Sequence, residues 1–505
     1  PANTWYLAAR CEDNAGNLSG VISSGPHVLS FTGSAAIVPA ASPEVPNKTT
    51  TNAWLGEKIA GADINDDGFS DVIVGAPQVD FNANNQGDGA VYIYMGSATG
   101  IGTAPDFVIR SSGANGFFGS GLTALDWNGD NVKDLAVAAP LVSGFAGEVR
   151  IFFGSAVTFA PTGTTSHLVD TDADVVFSAD GANAWFQFGF LGWDLDALDF
   201  DGDGRDDLLM SVPGAEALRG GAILLFGGAP TLTIPTGLSA ANARAYRFTF
   251  STNAANAQFG TRVYSLGRLG DGGADARDDL LLAPEADSVN GATPALSEDR
   301  VFAFYGRAQP VVNLADLAST SAEEQIFAEA EADNQNRYGL SAGSLSDVNG
   351  DGRREIVVAA AAFGAAPGRV YVLAGGTTTV GSPISRDAGA SSLFTVTGTS
   401  SLLLGQGVAN GGARGGDVEG DGLDDLLLSS GSNPSAYYVF FATPGMTGAL
   451  TTTDAAATLP APAAFAGLTA ADWVGDVNGD GLDDLARGFH DPSSAADAGV
   501  LQVLY

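Results

Sequence analysis

The sequence predicts an all-β protein: a seven-bladed β-propeller with four-stranded antiparallel blades, closed into a ring by an N-terminal strand. Three observations predict it. A unit of short alternating strands recurs seven times, six copies carry an Asp-rich nonapeptide in one register, and the 68 glycines follow no collagen-like period. Each unit begins with an aromatic or apolar residue and Gly. An acidic loop follows, then a β-branched run, then a Gly opening a second alternating strand.

In copy one these are Leu55-Gly56 after Trp54, loop 63–71, Val72 to Pro77, and Gly89 to Tyr94. Copy two has Phe118-Gly119, loop 126–134 and the runs 135–140 and 147–153. Copy three has Leu191-Gly192 after Phe190, loop 199–207 and the runs 208–213 and 221–226. Copy four has Phe259-Gly260, a longer irregular loop ending at Asp279, and the runs 280–284 and 300–305. Copies five, six and seven open at Tyr338-Gly339, Leu404-Gly405 and Ala466-Gly467, with loops 347–355, 417–425 and 476–484.

Loop starts are 63 and 73 residues apart in the first three copies and 70 and 59 apart in the last three. Propeller repeats of about 40–45 residues are shorter, so long loops are expected. Further β-rich stretches at 107–110, 175–177, 246–250 and 393–396 supply a fourth strand per period. Alternation of period two excludes a helical solenoid, and the single helix-like stretch, 322–330, is weak.

Copy seven ends at Tyr505 after three strands. An open edge is a liability, so an N-terminal segment is expected to pair with it. Val28-Leu29-Ser30-Phe31-Thr32 is the first choice and Ala36-Ile37-Val38 the alternative. The domain division is then 1–27, a hairpin or linker, and 28–505, the propeller.

Apolar residues make up 45% of the chain, enough for a packed core, and the net charge is −36 with only Lys48, Lys58 and Lys133 as lysines. Such acidity argues against nucleic acid and anionic membrane surfaces. Cys11 is the only cysteine, which excludes an intrachain disulfide and a zinc cluster. No apolar run reaches the length of a membrane span, and residues 1–4 do not resemble a signal peptide, so any export signal is expected outside this chain.

The six loops place oxygen side chains at positions 1, 3, 5 and 9 of a nine-residue frame. They are Asp63, Asn65, Asp67, Asp71; Asp126, Asn128, Asp130, Asp134; Asp199, Asp201, Asp203, Asp207; Asp347, Asn349, Asp351, Glu355; Asp417, Glu419, Asp421, Asp425; and Asp476, Asn478, Asp480, Asp484. Position 6 is Gly or Asn131, residues that tolerate a left-handed turn. Position 7 adds a backbone carbonyl, from Phe69, Val132, Arg205, Arg353, Leu423 or Leu482. This set suits a hard cation taking six to eight oxygens, and calcium rather than magnesium, which retains more water. An EF-hand needs Glu at position 12, where these loops have Val74, Val137, Met210, Val358, Leu428 and Arg487. Two carboxylates about 4 Å apart repel by about 4 kcal/mol at an effective dielectric near 20, so each cluster calls for a counter-ion. About six Ca²⁺ are expected. The fourth loop, with Asp271, Gly273, Asp275, Arg277 and Asp279, lacks a position-3 ligand and is expected to be metal-free.

The combination of Phe-Gly, the acidic nonapeptide and Gly75-Ala76-Pro77 resembles the FG-GAP repeat of integrin α-subunit propellers. Ala138-Ala139-Pro140 and Ser211-Val212-Pro213 are close variants, and the likeness covers about residues 50–505. A second resemblance is local: 6–19 is similar to the last two strands of a fibronectin type III domain. Heavy Arg, Ala and Gly usage resembles a bacterial surface protein.

The first resemblance implies an extracellular, calcium-stabilised adhesion or binding module for a protein or glycan ligand, monomeric within a longer surface protein. It places recognition on the face opposite the calcium loops, where Trp185, Phe81, Phe145, Phe363 and Phe489 are candidate ligand contacts and His490 lies beside the last. Trp185 stands out, because Asn183 and Gln187 flank it in a long loop. The alternative is a secreted calcium-dependent enzyme of polysaccharide lyase or phospholipase type. His27, His167 and His490, the only histidines, form no recognisable catalytic pattern, so no catalytic residue is expected.

Overall fold

The second strand of each repeat is buried along its length: Asp71–Ala76, Asp134–Ala139, Asp207–Ser211 and Glu355–Ala360 are buried at every position. A strand buried on both faces must lie between two layers, which explains its continuous apolar run. In this computed structural model those layers are neighbouring blades of a ring. The structure describes residues 5–9, 22–27, 34–37, 55–80, 87–112, 116–161, 165–182, 185, 189–229, 231–234, 244–250, 259–269, 277–283, 300–310, 314–327, 338–360, 367–382, 384–399, 404–409, 416–430, 436–460, 467–490 and 500–505.

Blade one pairs Ile59–Ala62, Asp71–Ala76, Ala90–Tyr94 and Phe107–Arg110 antiparallel in chain order. Blade two repeats this with Leu122–Leu125, Asp134–Ala139, Glu148–Phe152 and Val175–Ala179. Blade three uses Leu195–Leu198, Asp207–Ser211, Gly221–Leu225 and Ala245–Thr249. Blades four to six follow the same order, from Arg262–Gly267 to Ala457–Pro460. Residues 322–330, the one helix-like stretch, contain Glu324–Phe327, the fourth strand of blade four.

The four antiparallel strands expected in each blade are present, and five of the blades carry one more. In blades one to five a fifth strand pairs parallel to the fourth, and the following blade supplies it. Ser166–Val169 precedes the fourth strand of blade two but pairs with Phe107–Arg110 of blade one. A 3₁₀ turn, Asp170–Asp172, then leads back into blade two, with the Asp172 carboxylate accepting from the Val169 amide at 2.8 Å. Leu232–Ile234, Leu314–Ala318, Ile384–Asp387 and Gly448–Thr451 bridge the next blades likewise. These straps use much of the long repeat period and cover outer sheet edges.

Blade seven comprises Gly467–Gly475, Asp484–His490, Val500–Leu504 and Ser34–Ile37. The closing strand pairs Ser34 with Leu504 and Ile37 with Leu501. The ring is therefore closed by the segment containing Ala36 and Ile37, and the edge expected for Val28 to Thr32 is taken; those five residues lie outside the described ones. Trp5–Ala9 and Ile22–His27 form a separate two-stranded antiparallel sheet.

Among the described residues, seven apolar clusters hold the ring together, one at each blade junction. Ile73, Val91, Phe118 and Val137 meet between blades one and two. Val72, Val74, Val474, Ala486 and Val503 close blade seven onto blade one. The aromatic-Gly pair has a physical role here. Phe118 is buried in the first junction, and its backbone bridges Gly89 of the preceding blade so closely that a Cβ on Gly89 would lie 2.2 Å from the Phe118 carbonyl oxygen. Leu191 with Gly147 and Phe259 with Gly220 repeat the contact.

Removing residues 1–40 should expose the Val500–Leu504 edge. Losing a four-residue strand with its ladder predicts destabilisation of about 3 kcal/mol or more, with self-association. Denaturant unfolding and sedimentation check this; a truncated chain as stable and monomeric as the parent would contradict it.

Candidate metal centres

Each acidic loop joins the first strand of a blade to the second, so the six loops gather at one end of the ring. In each, the position-1 carboxylate folds the backbone around itself. Asp199 accepts from the amides of Gly202 (2.8 Å), Asp203 (3.0 Å) and Gly204 (3.0 Å). Asp476 does the same for Gly479, Asp480 and Gly481, and Asp126, Asp347 and Asp417 for their counterparts. Asp63 accepts from Asp67 and Gly68. The position-5 carboxylate accepts from the position-7 amide at 2.9–3.0 Å in all six loops.

This winding needs two left-handed residues. Position 6 is one, as expected: φ is +89° at Gly68, +87° at Gly204 and 68° at Asn131. Position 4 is the other, and the sequence reading missed it. Gly129, Gly202, Gly350, Gly420 and Gly479 have φ of +76° to +80°, and Asp66 takes φ 60° in the first loop. The signal was visible, since glycine occupies position 4 in five of the six loops.

Position 9 anchors the loop to the sheet. Asp71 accepts from Ile64 at 3.0 Å and from Gly96, beyond the third strand, at 2.9 Å. Asp134, Asp207 and Asp425 make the equivalent pairs with Trp127 and Gly154, Phe200 and Gly227, and Val418 and Ala442. Glu355 departs from this pattern: one oxygen accepts from Val348 and Asn349, while the other is buried without a hydrogen-bond partner.

The donor chemistry fits a hard dication. Side-chain oxygens of Asp199, Asp201 and Asp207 lie within 4.8 Å of one another, the tightest such cluster among the described residues. Burial raises the position-9 carboxyls, assisted by neighbouring carboxylates and opposed by the amide bonds. Asp71 and Asp425 are pushed up to about 8, and Asp134, Glu355 and Asp484 to about 7. Asp207 is raised well above the usual range for the same reason. Burial also lifts Glu419 to about 7, with Asp421 and Asp417 adding repulsion. Carboxylates crowded in this way take up protons unless a cation is supplied.

All thirty predicted ligand positions are described, and each set stands in one loop. Of the fourth loop, Asp271, Gly273 and Asp275 lie outside the described residues. Asp279 keeps the position-9 role, accepting from Leu269 at 2.9 Å and Gly306 at 2.8 Å.

The aromatic candidates on the opposite face fare differently. Trp185 is 6% exposed and belongs to the junction of blades two and three. Its ring packs where a Cβ on Gly221 would lie, beneath the Arg247 guanidinium, so it is a core residue and not a surface anchor. Phe145 is exposed; Phe81 and Phe363 lie outside the described residues, and Phe489 is described only as a strand position. The sequence reading overlooked Trp193, exposed beside Phe190, which in turn lies 5.8 Å from Phe145.

Two expectations follow from the loops. Without a cation, the folded chain holds more protons than the unfolded chain between the ordinary carboxylate value of 3.8 and about 7 to 8. Its stability should therefore fall as pH rises through that window, and adding a dication should restore it, with proton release where the carboxyls are still protonated. Melting in chelator at about pH 5 and about pH 8 tests the sign; greater stability at the higher pH would contradict it. Secondly, Asp425→Ala orphans two buried amides and should cost about 2–4 kcal/mol in cation-free protein, whereas Asp421→Ala should cost below about 1 kcal/mol. Equal losses in urea unfolding would refute the anchoring role of position 9.

The repeat reading agrees with a family comparison. The FG-GAP repeat family matches residues 55–94, 191–226 and 338–373. Phosphatidylinositol-glycan-specific phospholipase D of Mus musculus is 35% identical over 179 residues, which is 33% of this chain and 19% of that protein. Integrin alpha-3 of Cricetulus griseus is 35% identical over 108 residues, 21% of this chain and 10% of the integrin. The chain thus matches about a fifth or less of each relative's length. A solved structure described as the Dos1 propeller aligns with 87% of this chain and 82% of its own, at TM-score 0.36 and 11% identity. No helix among the described residues is long and apolar enough to cross a membrane. The chain carries FG-GAP repeats and is an integrin-like, seven-bladed β-propeller.

Proposed function

We propose that the chain is a calcium-stabilised binding module that acts outside the cell and recognises a protein or glycan ligand. The observation that carries this reading is the division of labour between the two ends of the ring. The acidic loops all join first to second strands at one end, leaving the connections from second to third strand and from blade to blade at the other. Calcium in the loops holds the blade roots fixed, and the opposite face is thereby presented as a rigid surface.

That face carries an aromatic platform. Phe145 and Trp193 are each 43% exposed, and Phe190 lies between them at centroid distances of 5.8 and 6.1 Å. Phe145 and Phe190 sit at φ of 72° and 53°, as their counterparts in neighbouring repeats, Leu218 and Phe117, do at 72° and 54°. A hydrogen bond from the Phe190 amide to the Phe145 carbonyl fixes the two loops at 2.9 Å. Exposed aromatics held this rigidly suit the centre of a recognition surface. The likeness to an integrin α subunit supports an extracellular protein partner.

The likeness to phosphatidylinositol-glycan-specific phospholipase D favours a second reading, a calcium-dependent enzyme acting on a phospholipid. The aligned segment is a third of this chain, and the activity of the whole relative need not travel with it.

A glycan array and a panel of extracellular-matrix proteins, probed with calcium or with chelator, separate the readings. Calcium-dependent binding should appear, weakened about tenfold or more by Trp193→Ala with unchanged melting. Calcium-dependent phospholipid turnover, lost in a point variant that still folds, would overturn the binding reading.

A further inference from the structure

The acidic loops are not independent of one another. The backbone of position 1 in one loop is bonded reciprocally to position 8 of the next blade's loop. The Asp206 amide donates to the Asp126 carbonyl at 3.0 Å, and the Asp206 carboxylate accepts the Asp126 amide at 2.7 Å. Asp483 and Asp417 repeat the pair at 3.2 and 3.1 Å. Asp278 and Asp199 repeat it at 2.8 and 3.1 Å. From blade one, the Ser70 amide closes the ring onto the Asp476 carbonyl at 2.9 Å.

The third of these pairs is unlike the others. Asp278 belongs to the fourth loop, the one whose sequence lacks the ligand frame, yet Asp278 keeps the same bonds to a neighbour whose frame is complete. Its side chain is 13% exposed, with the Arg268 guanidinium 3.7 Å away, while Asp279 anchors its own loop through Leu269 and Gly306. What it touches is Asp199, the residue around which the third loop is wound and a member of the tightest carboxylate cluster.

We propose that Asp278 is a positioning residue for the cation site of the third loop: from blade four, its carboxylate clamps the amide of Asp199 and so fixes the ligand's direction. The same relation makes Asp206 a positioning residue for the second loop and Asp483 for the sixth. The inference rests on the reading that the loops hold cations. A buried amide left without its acceptor, beside a ligand that must point inward, is expected to reduce affinity at that site about tenfold.

Calcium titration by calorimetry, with bound metal counted after equilibrium dialysis, tests this on the full chain. Asp278→Ala should weaken one site about tenfold and leave the others unchanged. Asp278→Asn keeps an oxygen facing the Asp199 amide and should stay within about threefold of the parent. Combining Asp278→Ala with Asp203→Ala, which removes a third-loop ligand, should lose no more metal than Asp203→Ala alone. The proposal is overturned if Asp278→Ala binds as the parent does, if Asp278→Asn is as weak as Asp278→Ala, or if the double variant loses a second site. A parent chain that binds no calcium would instead overturn the underlying reading of the loops. Should Asp278→Ala fail to fold, Asp483→Ala and Asp483→Asn, read against Asp421→Ala for the sixth loop, repeat the test.

Discussion

A sheet with two apolar faces has no stable existence alone, and that constraint governs this molecule. Every blade must be covered on both sides, so blades stack until the last covers the first. Val72 and Val74 of blade one find Val474, Ala486 and Val503 of blade seven, and the ring closes. Closure in turn requires one blade to be assembled from both ends of the described chain, by pairing Ser34–Ile37 with Val500–Leu504. The straps are a second tie of the same kind, since Ser166–Val169 lies in one sheet while Val175–Ala179 lies in the next.

The acidic loops depend on that frame. A position-9 carboxylate spans from the loop to the residue beyond the third strand, as Asp71 does between Ile64 and Gly96, so the loop's base is part of the blade. The position-1 carboxylate then draws three amides inward, and two left-handed residues let the backbone follow. What results is a set of crowded oxygens whose ionisation is resisted by burial and by one another. The same crowding that disfavours the empty, fully charged loop favours a dication in it. Net charge points the same way, although six dications would offset only a third of the −36.

Much of this was legible in the sequence because the repeat imposes it. Strand order is written seven times and the loop frame six, and each copy checks the others. What escaped detection is what does not repeat as a pattern. Ser166–Val169 is half exposed and only four residues long, so nothing marks it as a strand of the preceding blade. Trp185 has polar flanks and reads as a surface residue, but its environment is set by Gly221 and Arg247, distant in sequence. Trp193 hides behind the Leu191-Gly192 motif, whose buried Leu draws the eye to packing while the next residue but one faces solvent. The links from Asp206, Asp278 and Asp483 to neighbouring loops likewise join residues 66 to 80 apart, a separation no local pattern encodes.

The central proposal is that each of the six loops sharing one frame holds a cation. Elemental analysis of the purified chain, equilibrated with calcium and freed of loosely held ions, tests it most directly. The account predicts about six calcium ions per chain. One ion or none would contradict it, and would leave the acidic loops as solvated turns held only by their own amides.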